Sequence, residues 1–257
     1  MSSDAQKIIT ERHGPILVVT VNRPEARNAF DSETSRQMNA AMDLLDEDDS
    51  LFIGIITGAG GTFSAGADLK EAASGKPRER QPRGGFGLFA KPPRKPLIAA
   101  VEGFAVGGGF EMCLSCDIII AAETAKFGLP EVRHNVVAIG GGLFRLPQRM
   151  PYHLAMELAL TGAIKEAAFF HQWGVVNRLV KEGTALTEAL AFAESLLANG
   201  PTALAASKQI MRNFADWTDE QAWHEQMPIA RVALESEDRK EGLKAFAEKR
   251  KPVWKGR

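Results

Sequence analysis

"PLIAAVEGFAVGGGFEMCLSCDIIIAAE", residues 96–123, carries the reading that decides the fold. Its two ends, 96–103 and 116–123, are short apolar runs of strand length. Between them Gly107, Gly108 and Gly109 open an apolar segment that starts with Phe110 and Glu111 and reads as a helix. Strand, helix, strand in so short a span is the unit of a parallel sheet. Outward from it, "FIGIITG" (52–58) reads as another buried strand. "QKIITERHG" and "PILVVTVNRP" read as two strands around a His13-Gly14-Pro15 turn. Asp31 or Ser32 caps a helix running to about Asp46, with Met38, Ala41, Met42 and Leu45 at helical spacing. The expected class is α/β, with a largely parallel sheet covered on both faces.

Two stretches break that rhythm. Residues 74–95, "SGKPRERQPRGGFGLFAKPPRK", are rich in Pro, Gly and basic residues and read as a long surface loop. From about Pro201 the chain turns helical and charged, which divides it into an α/β core over 1–200 and a helical region over 201–257. No internal repeat is visible. Lys and Arg number 31 against 32 Asp and Glu, a net charge of −1 that argues against a general nucleic-acid or membrane-surface binder. No apolar run approaches the ~20 residues of a membrane span. The N-terminal "MSSDAQKIITERHG" has neither a basic nor an apolar signal region. With only two cysteines, the expected setting is a reducing cytoplasm.

Several motifs lead nowhere. "ITGAGGTF" begins like a dinucleotide fingerprint, but Phe63 stands where its last glycine is needed. Cys113 and Cys116 form a single C-x-x-C with no second pair, which suits buried packing residues rather than zinc. The histidines show no metal-binding spacing, and no G-x-S-x-G elbow occurs. No metal is expected.

Glycines just before a helix let a ligand approach backbone N–H groups that lack helical partners and sit at the positive dipole end. That equipment can stabilise an oxyanion. "FSAGADLKE" (63–71) is a second such junction, following the strand "FIGIIT". Glu111 lies among Phe110, Met112, Cys113 and Leu114, where a carboxylate is costly unless bonded or used. Glu131 follows Pro130 in a loop. Two carboxylates suit addition and removal of water, one handling water and the other a carbon-bound proton. Residue chemistry alone leaves equal room for a dipole-favoured helix charge at 111 and a solvated loop residue at 131.

"NRPEARNAFD" (22–31), "FSAGADLKE", "GFAVGGGFEMCLSCDIIIA" (103–121), "FGLPEV" (127–132), "WGVVNRLV" (173–180) and "AFAEKRKPVWKGR" (245–257) together resemble the enoyl-CoA hydratase (crotonase) family, in order along nearly the whole chain. "FSAGADLKEAASG", the "GGF" at 84–86 and the C-terminal segment are similar to carnitinyl-CoA dehydratases in particular. The resemblance implies a spiral of ββα repeats with C-terminal helices that assemble trimers or dimers of trimers. It implies reversible syn addition of water to a trans-2-enoyl-CoA, with coenzyme A as part of the substrate and no further cofactor. Alternatives within it are carnitinyl-CoA dehydration and double-bond isomerisation; outside catalysis, a silent acyl-CoA binder. By the same resemblance Glu111 activates water and Glu131 exchanges the α-proton. The N–H groups of Ala67 and Gly108 form the oxyanion hole. Arg27, Ala29, Ala65, Asp68, Leu69, Lys70, Gly107, Pro130, Phe246 and Lys249 fall at substrate or CoA positions. The place it implies in metabolism is fatty-acid β-oxidation.

The chain also departs from the family pattern. Asn135 replaces a glycine, Ala138-Ile139 replace Pro-Gly, and Ala67 stands where carnitinyl-CoA dehydratases typically carry Trp. The 74–95 loop would either close over CoA phosphates or be plain solvated surface.

Overall fold

β1 (Ile8–His13) and β2 (Ile16–Val21) pair antiparallel around Gly14, whose φ is 58°. They are the expected hairpin. The computed structural model describes residues 6–75 and 79–257. Helix α1 (Ser32–Glu47) starts where the sequence predicts, with the Asp31 side chain accepting the Thr34 N–H, and it buries Met38, Ala41, Met42 and Leu45. There follow β3 (Ile53–Gly58), α2 (Leu69–Ala73), β4 (Leu97–Val101), β5 (Phe104–Val106), α3 (Gly108–Ser115), β6 (Ile118–Ala122) and β7 (Lys126–Gly128). Then come α4 (Gly142–Arg145), α5 (Tyr152–Thr161), β8 (Ile164–Glu166), α6 (Ala167–Gln172), β9 (Arg178–Val180) and α7 (Ala185–Leu196).

The large sheet runs β1-β2-β3-β4-β6-β9, parallel except at β1, and a small sheet runs β5-β7-β8. Side chains alternate across the large sheet. Leu17, Val19, Ile56, Ala99 and Ala121 face α1 and α3, while Ile16, Val18, Ile55, Ile98 and Ile120 face Ala185, Ala189 and Ala193 of α7. After each central strand the chain crosses to a second layer, where Phe30 pairs with Ala67, Ser64 with Ala105, and β5 with β7. Each turn of chain is thus a strand, a short second-layer strand or bridge, and a helical segment. This is the ββα spiral. The run 96–103 is not one strand continued: it ends at Val101, and Gly103 (φ 56°) turns the chain so that 104–106 enters the other layer.

The reading of 74–95 as a surface loop needs correction. Lys76 and Arg78 of that basic run lie outside the described residues. Farther along, Phe86, Leu88 and Phe89 are buried, and so is Arg83. Arg83 pairs with Asp43 at 2.6 Å and Asp46 at 2.7 Å, and Asp46 also accepts the Arg94 N–H at 2.8 Å. Basic residues that look solvated in sequence here meet an acidic face of α1. The segment 81–95 is a strap held on the core. It is not plain solvated surface.

Helices α8 (Pro201–Asn213), α9 (Asp219–Leu234) and α10 (Glu237–Ala247) end the chain. Lys208 ties α8 back to Asp117 at 2.7 Å and to the Lys95 carbonyl at 2.8 Å. The last residues return as well: the N–H groups of Lys255 and Gly256 donate to the Asp238 carboxylate. Among the described residues no helix is long and apolar enough to cross a membrane.

Candidate active site

The three consecutive glycines at the start of α3 answer to three neighbours. Gly107 adopts φ 56° and ψ −130°, and a Cβ there would stand 3.1 Å from Glu131 Oε1. On Gly108 a Cβ would press on the Phe86 ring at 2.6 Å, and on Gly109 it would strike the Ser64 carbonyl. The second glycine turn meets the first here. Gly66 (φ 90°) lies so close that its Cβ would stand 2.9 Å from the Gly108 nitrogen. The Phe30 bridge uses the Gly66 carbonyl and the Asp68 N–H, at 2.8 and 2.9 Å, so the intervening Ala67 N–H faces away from it. Neither the Ala67 nor the Gly108 N–H has an acceptor among the described residues. Two unpaired donors side by side, one at a helix N-terminus, can hold an oxygen that gains negative charge.

Both carboxylates come to this place. Glu111, one turn into α3, is 4 % exposed. Its Oε1 accepts the Gly142 N–H at 2.9 Å, and Gly140 sits so close that a Cβ there would be 2.5 Å from Oε2. Burial raises its pKa, opposed by the N–H groups of Gly142 and Gly140 and by the charge of Arg145. Glu131 stands on the 3₁₀ turn Pro130–His134. Its Oε2 is buried and has no hydrogen-bond partner among the described residues. Burial, helped by the nearby Glu111 charge, pushes its carboxyl up to about 7. One carboxylate is gripped by backbone donors and the other keeps one oxygen, Oε2, without a partner, a division that sorts water handling from proton exchange.

The other sequence-derived residues divide into scaffold and surface. Arg27 (φ 52°) and Ala29 act through their carbonyls: Arg27 O accepts the Ala65 N–H at 2.9 Å, and Ala29 O accepts from Arg23 at 2.5 Å. The Asp68 carboxylate caps α2 through the Lys70 and Glu71 N–H groups and pairs with Arg23 at 3.0 Å, which aligns the Ala67 turn. Pro130 opens the turn that carries Glu131. Leu69 and Lys70 are exposed. Phe246, 86 % exposed, is near the end of α10, and Lys249 follows it with φ 54°. No hydrogen bond or ion pair among the described residues joins those two to the Leu69–Lys70 turn, and α10 packs on α9.

Sequence reading missed the other wall of the site. Phe86 holds a left-handed backbone (φ 53°) and stacks between Phe30 at 4.3 Å and Phe89 at 4.8 Å. It rests on Gly108, while Phe89 rests on Gly140. The "GGFG" run at 84–87 was the available signal, since so many glycines imply close packing as readily as a loop. Asn135 adopts the left-handed conformation (φ 53°), which asparagine tolerates.

A family model described as enoyl-CoA hydratase/isomerase matches residues 11–257. An enoyl-CoA hydratase of Mycobacterium tuberculosis is 41 % identical over 97 % of this chain and 96 % of its own. A carnitinyl-CoA dehydratase of Citrobacter koseri is 42 % identical over 96 % of this chain and 97 % of its own. The crystal structure of a probable enoyl-CoA hydratase/isomerase from Mycobacterium abscessus superposes with a TM-score of 0.94 at 50 % identity, covering 98 % of this chain and all of that one.

Proposed function

Because the chain belongs to the enoyl-CoA hydratase/isomerase family, we propose that it adds water reversibly across the 2,3-double bond of a trans-2-enoyl-CoA. The observation that carries this reading is the Glu131 carboxyl, its Oε2 buried without a partner, beside Gly107 and near the second carboxylate, Glu111. The thioester oxygen lies between the Ala67 and Gly108 N–H groups. Glu111 takes a proton from water as its oxygen bonds to carbon 3, and electron density moves onto the thioester oxygen. Glu131, as the neutral acid, hands its proton to carbon 2. One water has then been added, Glu111 is protonated and Glu131 ionised; both reset by exchange with solvent. No cofactor beyond the CoA of the substrate enters these steps, and Leu69, Lys70, Phe246 and Lys249 contact that CoA.

Relatives at 41 % and 42 % identity carry the two names, hydratase and carnitinyl-CoA dehydratase, so a carnitinyl-type acyl group is the second reading. The exposed Val136, Val137, Ile139, Phe144 and Leu160 support a further proposal. A second and third copy of the chain cover them, and helices of 201–257 join that assembly. The setting proposed is cytoplasmic turnover of fatty acyl thioesters. The test is a panel of crotonyl-CoA, longer 2-enoyl-CoAs, 3-enoyl-CoA and crotonobetainyl-CoA, following the conjugated thioester absorbance. Turnover of plain 2-enoyl-CoAs is expected. Turnover of crotonobetainyl-CoA alone would replace the first reading by the second, and silence on every substrate would leave only a binder.

A further inference from the structure

Behind Glu111 lies a buried cation that the two-carboxylate picture leaves out. Arg145, on α4, is 8 % exposed, yet among the described residues its guanidinium donates only to neutral oxygens. These are Ser115 Oγ at 3.0 Å, the Gly140 carbonyl at 3.0 Å and the Phe89 carbonyl at 2.5 Å. A buried charge without a counter-ion bonded to it is expensive, so what it organises matters. Its rigid fork ties together three segments that each bear on Glu111. Ser115 Oγ donates in turn to the Glu111 carbonyl at 2.9 Å. Gly140 and Gly142 flank the Glu111 carboxylate, and Phe89 presses its ring on Gly140. Gly141 (φ 105°) leaves the guanidinium room, since a Cβ there would stand 2.9 Å from Arg145 Cζ.

Resting on the hydratase reading, we propose that Arg145 is a positioning residue for Glu111: it fixes the bearing of the carboxylate through Gly140 and Ser115, and its charge favours the ionised form of that carboxylate. The charged groups around the pair make the second half specific. Glu111 faces Arg145 from α4 and Glu131 from the 3₁₀ turn. Arg145 faces Arg149 on its own segment, Arg212 on α8, and Glu111 and the Cys116 thiol from the α3 segment. Burial, with Arg212 and Arg149, pushes Arg145 down to about 10, still charged at neutral pH. Take that charge away, and burial, opposed then only by the Gly142 and Gly140 N–H groups, favours a protonated Glu111 more strongly.

The test compares Arg145→Gln, Arg145→Lys and Ser115→Ala with the wild type. Titration of Glu111 by ¹³Cδ-glutamate NMR, assigned by its loss in Glu111→Gln, needs no turnover. R145Q should raise the Glu111 midpoint. In the same variant kcat should fall about 10- to 100-fold with KM little changed, and the acidic limb of the rate profile should move up with the midpoint. R145K should keep the midpoint and still lose kcat; S115A should lose kcat with no shift. A Glu111 midpoint unmoved in R145Q would overturn the electrostatic half. Wild-type kcat in both R145K and S115A would overturn the positioning half, and those two variants decide should R145Q fail to fold. A wild type with no turnover refutes the hydratase reading separately, while the NMR titration still judges Arg145.

Discussion

Glu131 keeps its proton to about pH 7 because its carboxyl is buried and one oxygen has no partner, whereas the same group titrates near 4.5 when unperturbed. Between those pH values the fold holds a proton that the unfolded chain releases. The contribution of Glu131 to stability therefore falls as pH rises through that window and stays low above it. We expect Glu131→Gln to raise the melting temperature at pH 8, with the gain fading near pH 4.5; the same offset at both pH values would show that no proton is held. Catalysis should move the opposite way. Glu131→Gln and Glu111→Gln should each lower kcat about 10²- to 10⁴-fold, measured by enoyl-CoA hydration. Hydration needs one proton on the pair, held by Glu131, and dehydration needs one held by Glu111, so both should decline together above about pH 7. Both carboxylates stood out in the sequence as candidates through the resemblance, not through residue chemistry alone. Which one keeps an unpartnered oxygen and which is gripped was not legible, because the Gly142 donor lies far along the chain.

Strap and helix depend on each other at the scale of elements. Arg83 is a single cation between Asp43 and Asp46 of α1, and Asp46 is itself buried. Removing Arg83 leaves the buried Asp46 carboxylate without its ion-pair partner, held only by backbone N–H groups such as that of Arg94. Arg83→Met should destabilise the protein by about 3–5 kcal/mol, read from urea midpoints, and should loosen the Phe86–Phe89 wall. A loss below about 1 kcal/mol, the level of a surface pair, would show that the strap is not clamped. Composition misdirected the sequence reading here: Pro, Gly and basic residues are what solvated loops contain. Nothing local says that Arg83 will meet acids some forty residues earlier. Elements defined by their own periodicity fared better. The hairpin, α1 and β3 follow from alternation, spacing and a cap.

At the scale of the whole molecule, the exposed apolar side chains around Ile139, 88 % exposed, and Leu160 need cover. Light scattering should give three or six times the 27.9 kDa chain mass, and Leu160→Asp with Ile139→Asp should shift it toward one. Since no hydrogen bond or ion pair among the described residues joins Phe246 and Lys249 to Lys70, that dissociation should also raise KM for CoA esters. A monomeric wild type would refute the assembly. What the sequence by itself determined is everything written in local pattern: the α/β class, the parallel strands, the glycine turns, the two carboxylates and, through six ordered motifs, the family. The tertiary structure alone decided the rest. It split the 96–106 region between two layers, seated the strap on α1, pressed Gly66 against the Gly108 nitrogen and enclosed Arg145 behind Glu111. Those outcomes depend on which distant groups meet and how much water they lose, and desolvation has no signature in a run of neighbouring residues.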